Sequence, residues 1–461
     1  MYPRSSGGRP APYTPPPESR GAYGSHPSVA GDKRVNVLRP YKWEPAPDIS
    51  PRRPRFMPTP TLGHKRRFAN HSPHTVKRQC INSSPQLPMD SPHLSGRGEV
   101  VAGSSGIPTV QPHRSPQPVL ELPLKPPFIQ ALEEYVKDKL SRQMMGMFVA
   151  CHQQPPDFLR KEAMRALLHR DISVYYPGAR LFLTGSSMNG LGSRTSDADL
   201  CLLLEGSRAP LHVLDVLLRL FIWLPYIQHV VLVRAKVPIL KFKERGGDLE
   251  FDLNVNNTVG IRNTFLMRSY ANADPRVGPI VLVVKKWARY HQINDASQGT
   301  LSSYSLVLMV LNFLQTRQTP VIPSLQRDHP QCFNPNIPID AVPEAADKVP
   351  RYLSGNKSCL GELFLGFLKY YATEFRWDKQ VISVREACVL DTTDSLQWKN
   401  KYICVEEPFD RTNVARAVHK EDKFKAIKDQ FLESWCTLRR EKDLSSILPV
   451  QALIAEDNCK R

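Results

Sequence analysis

Two aspartates, Asp197 and Asp199, stand at the head of the apolar run Leu200–Leu204, inside FLTGSSMNGLGSRTSDADLCLLLEG (182–206). In an extended chain, side chains two residues apart point to the same side, about 6–7 Å apart, so this pair projects together. Two like charges that close repel unless a cation lies between them. A third carboxylate is on hand in LEFDLNV, where Asp252 faces the same way as Glu250 and Asn254. Two convergent strands bringing three carboxylates to one point suit Mg2+, a hard ion held by oxygen ligands together with phosphate, with Mn2+ as the alternative. A pair of such ions can activate an attacking hydroxyl and neutralise a leaving pyrophosphate. For a bare Asp-x-Asp, the plain alternative is two solvent-facing acids at a strand end. The context upstream favours the chemical reading: Gly185-Ser186 break a strand, the glycine lets backbone amides approach a phosphate, and the Ser186 hydroxyl adds a donor.

The elements that must position these groups are legible in the hydrophobic period. FIQALEEYVKDKLSRQMMGMF and DFLRKEAMRALLHRDISVYYPG carry apolar residues at helical spacing, the second stopping at Pro177-Gly178. ARLFLTG and ADLCLLLEG then read as strands, LHVLDVLLRLFIWL as a helix, and IQHVVLVRA, VPILKFKE and DLEFDLNV as three further strands, with Gly246-Gly247 as the turn between the last two. Two helices and about five strands over 150–257 predict a small mixed α/β layer. Beyond about 260 the chain reads as helical: IRNTFLMRSYAN, GPIVLVVKKWARYHQ, SSYSLVLMVLNFLQ, LGELFLGFLKYYATEF and NVARAVHKEDKFKAIKDQFLESW. Pro320–Pro350 reads as a long connecting loop, and no fixed-period repeat is present.

Composition sets the rest apart. Of 42 prolines in 461 residues, 22 fall in the first 120, and that stretch supplies +11 of the formal net charge of +18. It lacks sustained apolar periodicity, so it cannot bury enough surface to offset the entropy of ordering, and residues 1–120 read as a disordered tail. Its basic excess suggests a polyanionic partner, although a solvated tail that keeps the chain soluble is an equal reading. Nine cysteines without any C-x-x-C pair argue against a disulfide framework or zinc ribbon and fit a reducing compartment. The chain opens MYPRSSGGRP, without an apolar signal segment, and no run of about 18 uncharged apolar residues predicts a membrane span. A soluble, cytoplasmic protein is expected, also nuclear if the basic cluster HKRRF (64–68) serves import.

Gly185-Ser186, ten intervening residues, Asp197-Ala198-Asp199 and the later Asp252 together resemble the signature of the polymerase-beta-like nucleotidyltransferases. NNTVGIRNTFLMRSY, VVKKWARYHQINDASQGTLSSYSLVLMVLNFLQ and EEPFDRTNVARAV are similar to the terminal RNA nucleotidyltransferases, and within them about 130–445 resembles the cytoplasmic poly(A) polymerases of the germline-development type. The resemblance implies an α+β fold: a polymerase-beta-like mixed sheet with helices over 147–260, and a mainly helical poly(A)-polymerase-associated part formed by 121–146 and 261–461. It implies template-independent addition of AMP from ATP to RNA 3′ ends, in mRNA polyadenylation or on small RNAs.

By the same resemblance, Asp197, Asp199 and Asp252 hold the metals, Asp252 helps to activate the 3′-hydroxyl, and Gly185 and Ser186 hold the β- and γ-phosphates. Asn263 and Thr264 match positions that hydrogen-bond the ribose, with a local helix cap as the alternative for the asparagine. Lys285 and Arg289, four apart on one helix face, match a triphosphate-binding basic pair in which lysine is usual at the second place. An arginine there keeps the charge but not the geometry, and a solvated basic face is the alternative. Ser303 and Tyr304 match a γ-phosphate contact and a ring stacked on the base, against a plain core tyrosine; stacking tolerates every base. Uridylyl-adding relatives carry an extra histidine in the segment matching EEPFDRTNVAR. Here Phe409 is followed by Asp410, Arg411, Thr412 and Asn413, which resembles the adenine-adding members. No RNP-like strand pair, zinc knuckle or KH-type G-x-x-G is evident, so an RNA-binding protein is expected to recruit the enzyme to its RNA. The rivals are a uridylyltransferase of the same architecture, an inactive RNA-binding scaffold, and a nucleotidyltransferase acting on a small molecule or protein.

Overall fold

A computed structural model describes residues 126–459 apart from Ser207; the proline-rich segment 1–120 lies outside the described residues. Three helices come first, α1 (Pro126–Glu133), α2 (Lys139–Cys151) and α3 (Pro155–Tyr175). The run FIQALEEYVKDKLSRQMMGMF, expected as one helix, is thus two. Asp138 interrupts it by turning its carboxylate onto the Ser141 N–H (2.8 Å) and hydroxyl (2.7 Å), capping α2 in place of an α1 ladder that would have continued.

The sheet is built from β1 (Arg180–Thr184), β2 (Ala198–Leu203), β3 (Ile227–Val233), β4 (Ile239–Glu244) and β5 (Glu250–Val255), with α4 (Pro210–Phe221) between β2 and β3. Their order is β1-β2-β5-β4-β3, with β2 and β5 parallel and the other pairs antiparallel. Alternation along β5 buries Phe251, Leu253 and Val255 and turns Glu250, Asp252 and Asn254 to the opposite face. On the buried side these residues share a core with Leu168 and Ile172 of α3, Leu214 of α4 and Phe242 of β4, and the Phe242 and Phe251 rings stack at 5.2 Å. Residues 150–257 therefore form the mixed layer read from the sequence.

The helical part contains α5 (Thr258–Ala273), α6 (Val277–Tyr290), α7 (Ser303–Gln315), α8 (Leu325–Asp328), α9 (Val342–Asp347), α10 (Leu360–Lys369), α11 (Glu421–Glu441) and α12 (Val450–Cys459). A small hairpin, β6 (Gln380–Ser383) and β7 (Cys388–Asp391), lies between α10 and α11. Helix α7 is buried at every position from Ser305 to Gln315, as expected of a helix with little polar face. Pro320–Pro350, expected as loop, holds the short helices α8 and α9. The hairpin and α12 were not expected.

NVARAVHKEDKFKAIKDQFLESW is helical only from Glu421. In the upstream stretch the Asn413 side chain accepts the N–H groups of Val405 (3.2 Å) and Ala415 (2.9 Å) and donates to the Ile403 carbonyl (2.9 Å), offering the backbone partners that replace a helical ladder.

Two large apolar cores result among the described residues, beside a small cluster of Val381, Trp398 and Cys404, and the chain first passes from one large core to the other between α2 and α3. Met147, Phe148 and Cys151 share a core with Ile280, Val284 and Leu306, whereas Phe158, Met164 and Leu168 belong to the core under the sheet. A division at 147 would cut through α2; packing places the change-over at 152–154. No helix among the described residues is long and apolar enough to cross a membrane.

Candidate active site

Strand β1 ends in a single turn, Gly185–Ser187, that lies against the acid pair. Gly185 has φ +63°, and a Cβ there would sit 2.1 Å from Asp199 Oδ2, so only glycine lets the carboxylate come so close. Gly192 gives the same freedom on the return of the loop, where a Cβ would meet the Ser186 carbonyl at 2.7 Å. Asp199 lies directly across from Asp252 in the β2–β5 register. Asp197 stands one residue before β2 rather than within it, so strand alternation does not by itself align it with Asp199. The two nevertheless share one cleft, and Asp252 raises the proton affinity of both. Burial, then the charges of Asp252 and Asp197, push the Asp199 carboxyl up to about 7. Burial, then Glu250 and Asp252, raise Asp197.

Cations surround these acids. Lys241 and Lys243 of β4 lie opposite Asp252 and Glu250, each ammonium 2.7 Å from its carboxylate. Lys161 of α3 is buried and donates to Gln153 Oε1 (2.8 Å) and Ser187 Oγ (3.0 Å), fastening the turn from beneath. Lys285 of α6 donates to the Leu191 carbonyl (3.2 Å). Burial holds both ammonium groups down at about 8.

A cleft of about 1070 Å3 runs between the sheet and helices α5, α6 and α7. Ten of the eleven residues singled out from the sequence line it: Gly185, Ser186, Asp197, Asp199, Asn263, Thr264, Lys285, Arg289, Ser303 and Tyr304. Asp252 is the eleventh; it sits behind, beside Asp199 and tied to Lys241. Thr264 is buried and the one donor of its hydroxyl is spent: it accepts the Gly185 N–H (2.9 Å) and donates to the Gly260 carbonyl (2.8 Å). It holds the Gly-Ser corner against α5 and has no donor left for a ribose. Asn263 differs: its amide donates to Glu407 Oε1 (2.7 Å), while its Oδ1 is buried without a partner at the cleft wall. Tyr304 also donates to Glu407 (3.3 Å), and the Ser303 hydroxyl donates to Asn294 Oδ1 (3.1 Å).

Glu407 and Lys161 were not foreseen as parts of the site. Glu407 gathers Asn263, Tyr304 and the N–H groups of Phe409 and Asp410, and burial raises its carboxyl. It lies within the EEPFDRTNVAR segment, where nothing local marks one glutamate as a site residue. Lys161 did carry a signal: it occupies the apolar stripe of α3, between Phe158 and Met164.

Among the described residues, no three acid, histidine or cysteine side chains are gathered into a cage for an ion. The donor set suits an open oxygen site instead: Asp197 and Asp199 face the cleft, and burial and then carboxylate repulsion raise their proton affinity, both of which a hard cation relieves, with substrate phosphate able to complete the shell.

A corner that leaves room for phosphate beside paired acids, mounted on a mixed sheet and closed by a helical wall, defines a nucleotidyltransferase of the polymerase-beta-like class, whose members use divalent metal ions. Residues 140–272 match the family described as poly(A) RNA polymerase, mitochondrial-like, central palm domain, and residues 359–413 match Cid1 family poly A polymerase. The chain is 49% identical to mouse poly(A) RNA polymerase GLD2 over 407 residues, which cover 85% of this chain and 82% of the mouse protein. Among solved structures it resembles the GLD-2/RNP-8 complex, with TM-score 0.60 and 34% identity over 67% of this chain and 97% of that one. It also resembles the Cid1 poly(U) polymerase, with TM-score 0.56 and 28% identity over 65% and 94%. The chain belongs to the GLD2 family of poly(A) RNA polymerases, and is a polynucleotide adenylyltransferase.

Proposed function

We propose that this chain extends RNA 3′ ends with AMP from ATP without a template, and that its residues divide the work as follows. The 3′-hydroxyl oxygen attacks the α-phosphorus in line; the new O–P bond forms as the bond to pyrophosphate breaks, and the hydroxyl proton leaves towards Asp252. Ser186 and the backbone of the Gly185 corner receive the β- and γ-phosphates, with Lys285, Arg289 and Ser303 opposite them across the cleft. Asn263 offers its unpartnered Oδ1 to a ribose hydroxyl, which favours ribonucleotides because an unmet buried acceptor is costly. Tyr304 presents its ring to the base, held at its hydroxyl by Glu407. Asp197 and Asp199 would hold Mg2+, which when bound supplies charge neutralisation for the phosphates and acidifies the attacking hydroxyl.

The observation that supports this reading is the close approach of Asp199 to Gly185, with the Gly-Ser corner and the acid pair lining one cleft. The structure related to this chain that contains RNP-8 supports recruitment through an RNA-binding partner. Free thiols at Cys151, Cys201 and the other described cysteines fit action in the reducing cytoplasm, with the nucleus as a second location.

The test is elongation of a short RNA with Mg2+ and each NTP supplied separately. ATP is expected to give extension and UTP little; extension with UTP in preference to ATP would overturn the choice of nucleotide, and no extension with any NTP would overturn the activity.

A further inference from the structure

The acid loop carries one cation that the scheme above leaves without work. Arg194 stands three residues before Asp197, and its Nε and Nη1 are sealed from solvent with no hydrogen-bond acceptor. A guanidinium cannot shed its proton to escape such a position, so the unmet demand is for an anion. The backbone that carries this side chain is fixed, because the Arg194 N–H is tethered to the Cys151 carbonyl (2.9 Å) at the end of α2.

Arg194 lines both the main cleft and a smaller chamber of about 520 Å3 that shares its wall. The charged neighbours there already have hydrogen-bond or ion-pair partners. Asp157 accepts the Gln154 N–H (2.8 Å), Asp457 pairs with Lys286 (2.6 Å), Arg160 pairs with Glu244, and Lys161 is bound to Gln153 and Ser187. Among the described residues, none of these acids is paired with Arg194. The chamber is therefore lined with three cations, of which Arg160 is ion-paired, Lys161 is met by neutral acceptors, and Arg194 alone keeps buried N–H groups with neither.

We propose that the Arg194 guanidinium binds a backbone phosphate of the RNA strand beside its 3′-terminal nucleotide, through the planar fork that suits phosphate oxygens. Two placements favour RNA over the nucleotide as the source of that phosphate. The groups assigned to the triphosphate, Lys285, Arg289 and Ser303, come from α6 and α7. The chamber is instead closed by Leu249, which immediately precedes the strand of Asp252, the acid assigned to the 3′-hydroxyl. The polyphosphate of ATP carries the same chemistry, so the test separates the two. This inference rests on the RNA-adenylyltransferase reading and deepens it.

The experiment compares the full-length protein with its Arg194→Met and Arg194→Lys variants, using an oligoadenylate ended in a 3′-deoxynucleotide, and ATP alone as a second ligand. Binding of the RNA to Arg194→Met is expected to weaken about tenfold, with the slope of log affinity against log salt shallower by about 0.7. Affinity for ATP and the melting temperature of the free protein are expected to hold or, for the latter, to rise, because an unmatched buried charge has been removed. Arg194→Lys should keep the salt slope while losing part of the affinity. A loss confined to ATP would overturn the RNA assignment. An unchanged salt slope, whether or not stability falls, would overturn the phosphate contact itself. Failure of the adenylyltransferase reading would show separately, in wild-type protein that does not extend RNA.

Discussion

Burial, then the charges of Asp252 and Asp197, hold the Asp199 carboxyl at about 7, against an ordinary value of 3.8. The folded chain therefore binds this proton more tightly than the unfolded chain does. In protein freed of divalent ions, the stability contributed by this group is fully present below about pH 4 and is lost as pH rises through about 7, where the folded carboxyl ionises. Asp199→Asn should flatten that decline, read by urea unfolding in chelator across the same range; an unaltered slope would show that the carboxyl is not strained by its surroundings. The same variant should lower elongation by about a thousandfold or more, since it removes an oxygen ligand and a charge from the reacting centre while keeping the shape.

At the scale of elements, the corner between β1 and the acid loop is held by α5 through one hydroxyl. Thr264→Val leaves the Gly185 N–H without its acceptor, a loss of about 1–3 kcal/mol in stability. Because the Thr264 hydroxyl is spent on the corner, turnover should fall alike with ATP and dATP, and Thr264→Ser should restore it. A change in ribose discrimination would instead return Thr264 to the nucleotide contacts. Gly185→Ala tests the same corner from the other side. Its Cβ would strike Asp199 Oδ2, and the positive φ adds strain, so activity should drop by about a hundredfold or more from displacement of the acid alone.

Across the whole molecule, α12 closes a circuit between the chain's last described helix and the catalytic loop. Asp457 is buried, pairs with Lys286 of α6 at 2.6 Å and accepts from Thr195 of the acid loop at 3.4 Å. Asp457→Asn removes one charge and leaves Lys286 poorly matched, so stability should fall by about 3–5 kcal/mol in urea unfolding. The paired variant Lys286→Met with Asp457→Leu should recover most of that loss. Equal stability of Asp457→Asn and wild type would mean that α12 does not brace the loop.

The sequence by itself determined what depends on neighbours a few residues away. The spacing of Gly185-Ser186 and the acids, the alternation that turns Asp252 away from Phe251 and Leu253, and the two periods of helix and strand are local properties, and the fold class followed from them. Tertiary structure decided which groups are free to work. Thr264 is claimed by Gly185, 79 residues away; Asn263 meets Glu407 across 144 residues, and Lys286 meets Asp457 across 171. The break before α2, the Asn413 turn and the seam at 152–154 likewise depend on which hydrogen bonds and core contacts the folded chain offers. A hydroxyl, amide or ammonium reads the same in a sequence whether its bonding is spent or open, because burial and partners are supplied only when distant segments pack together.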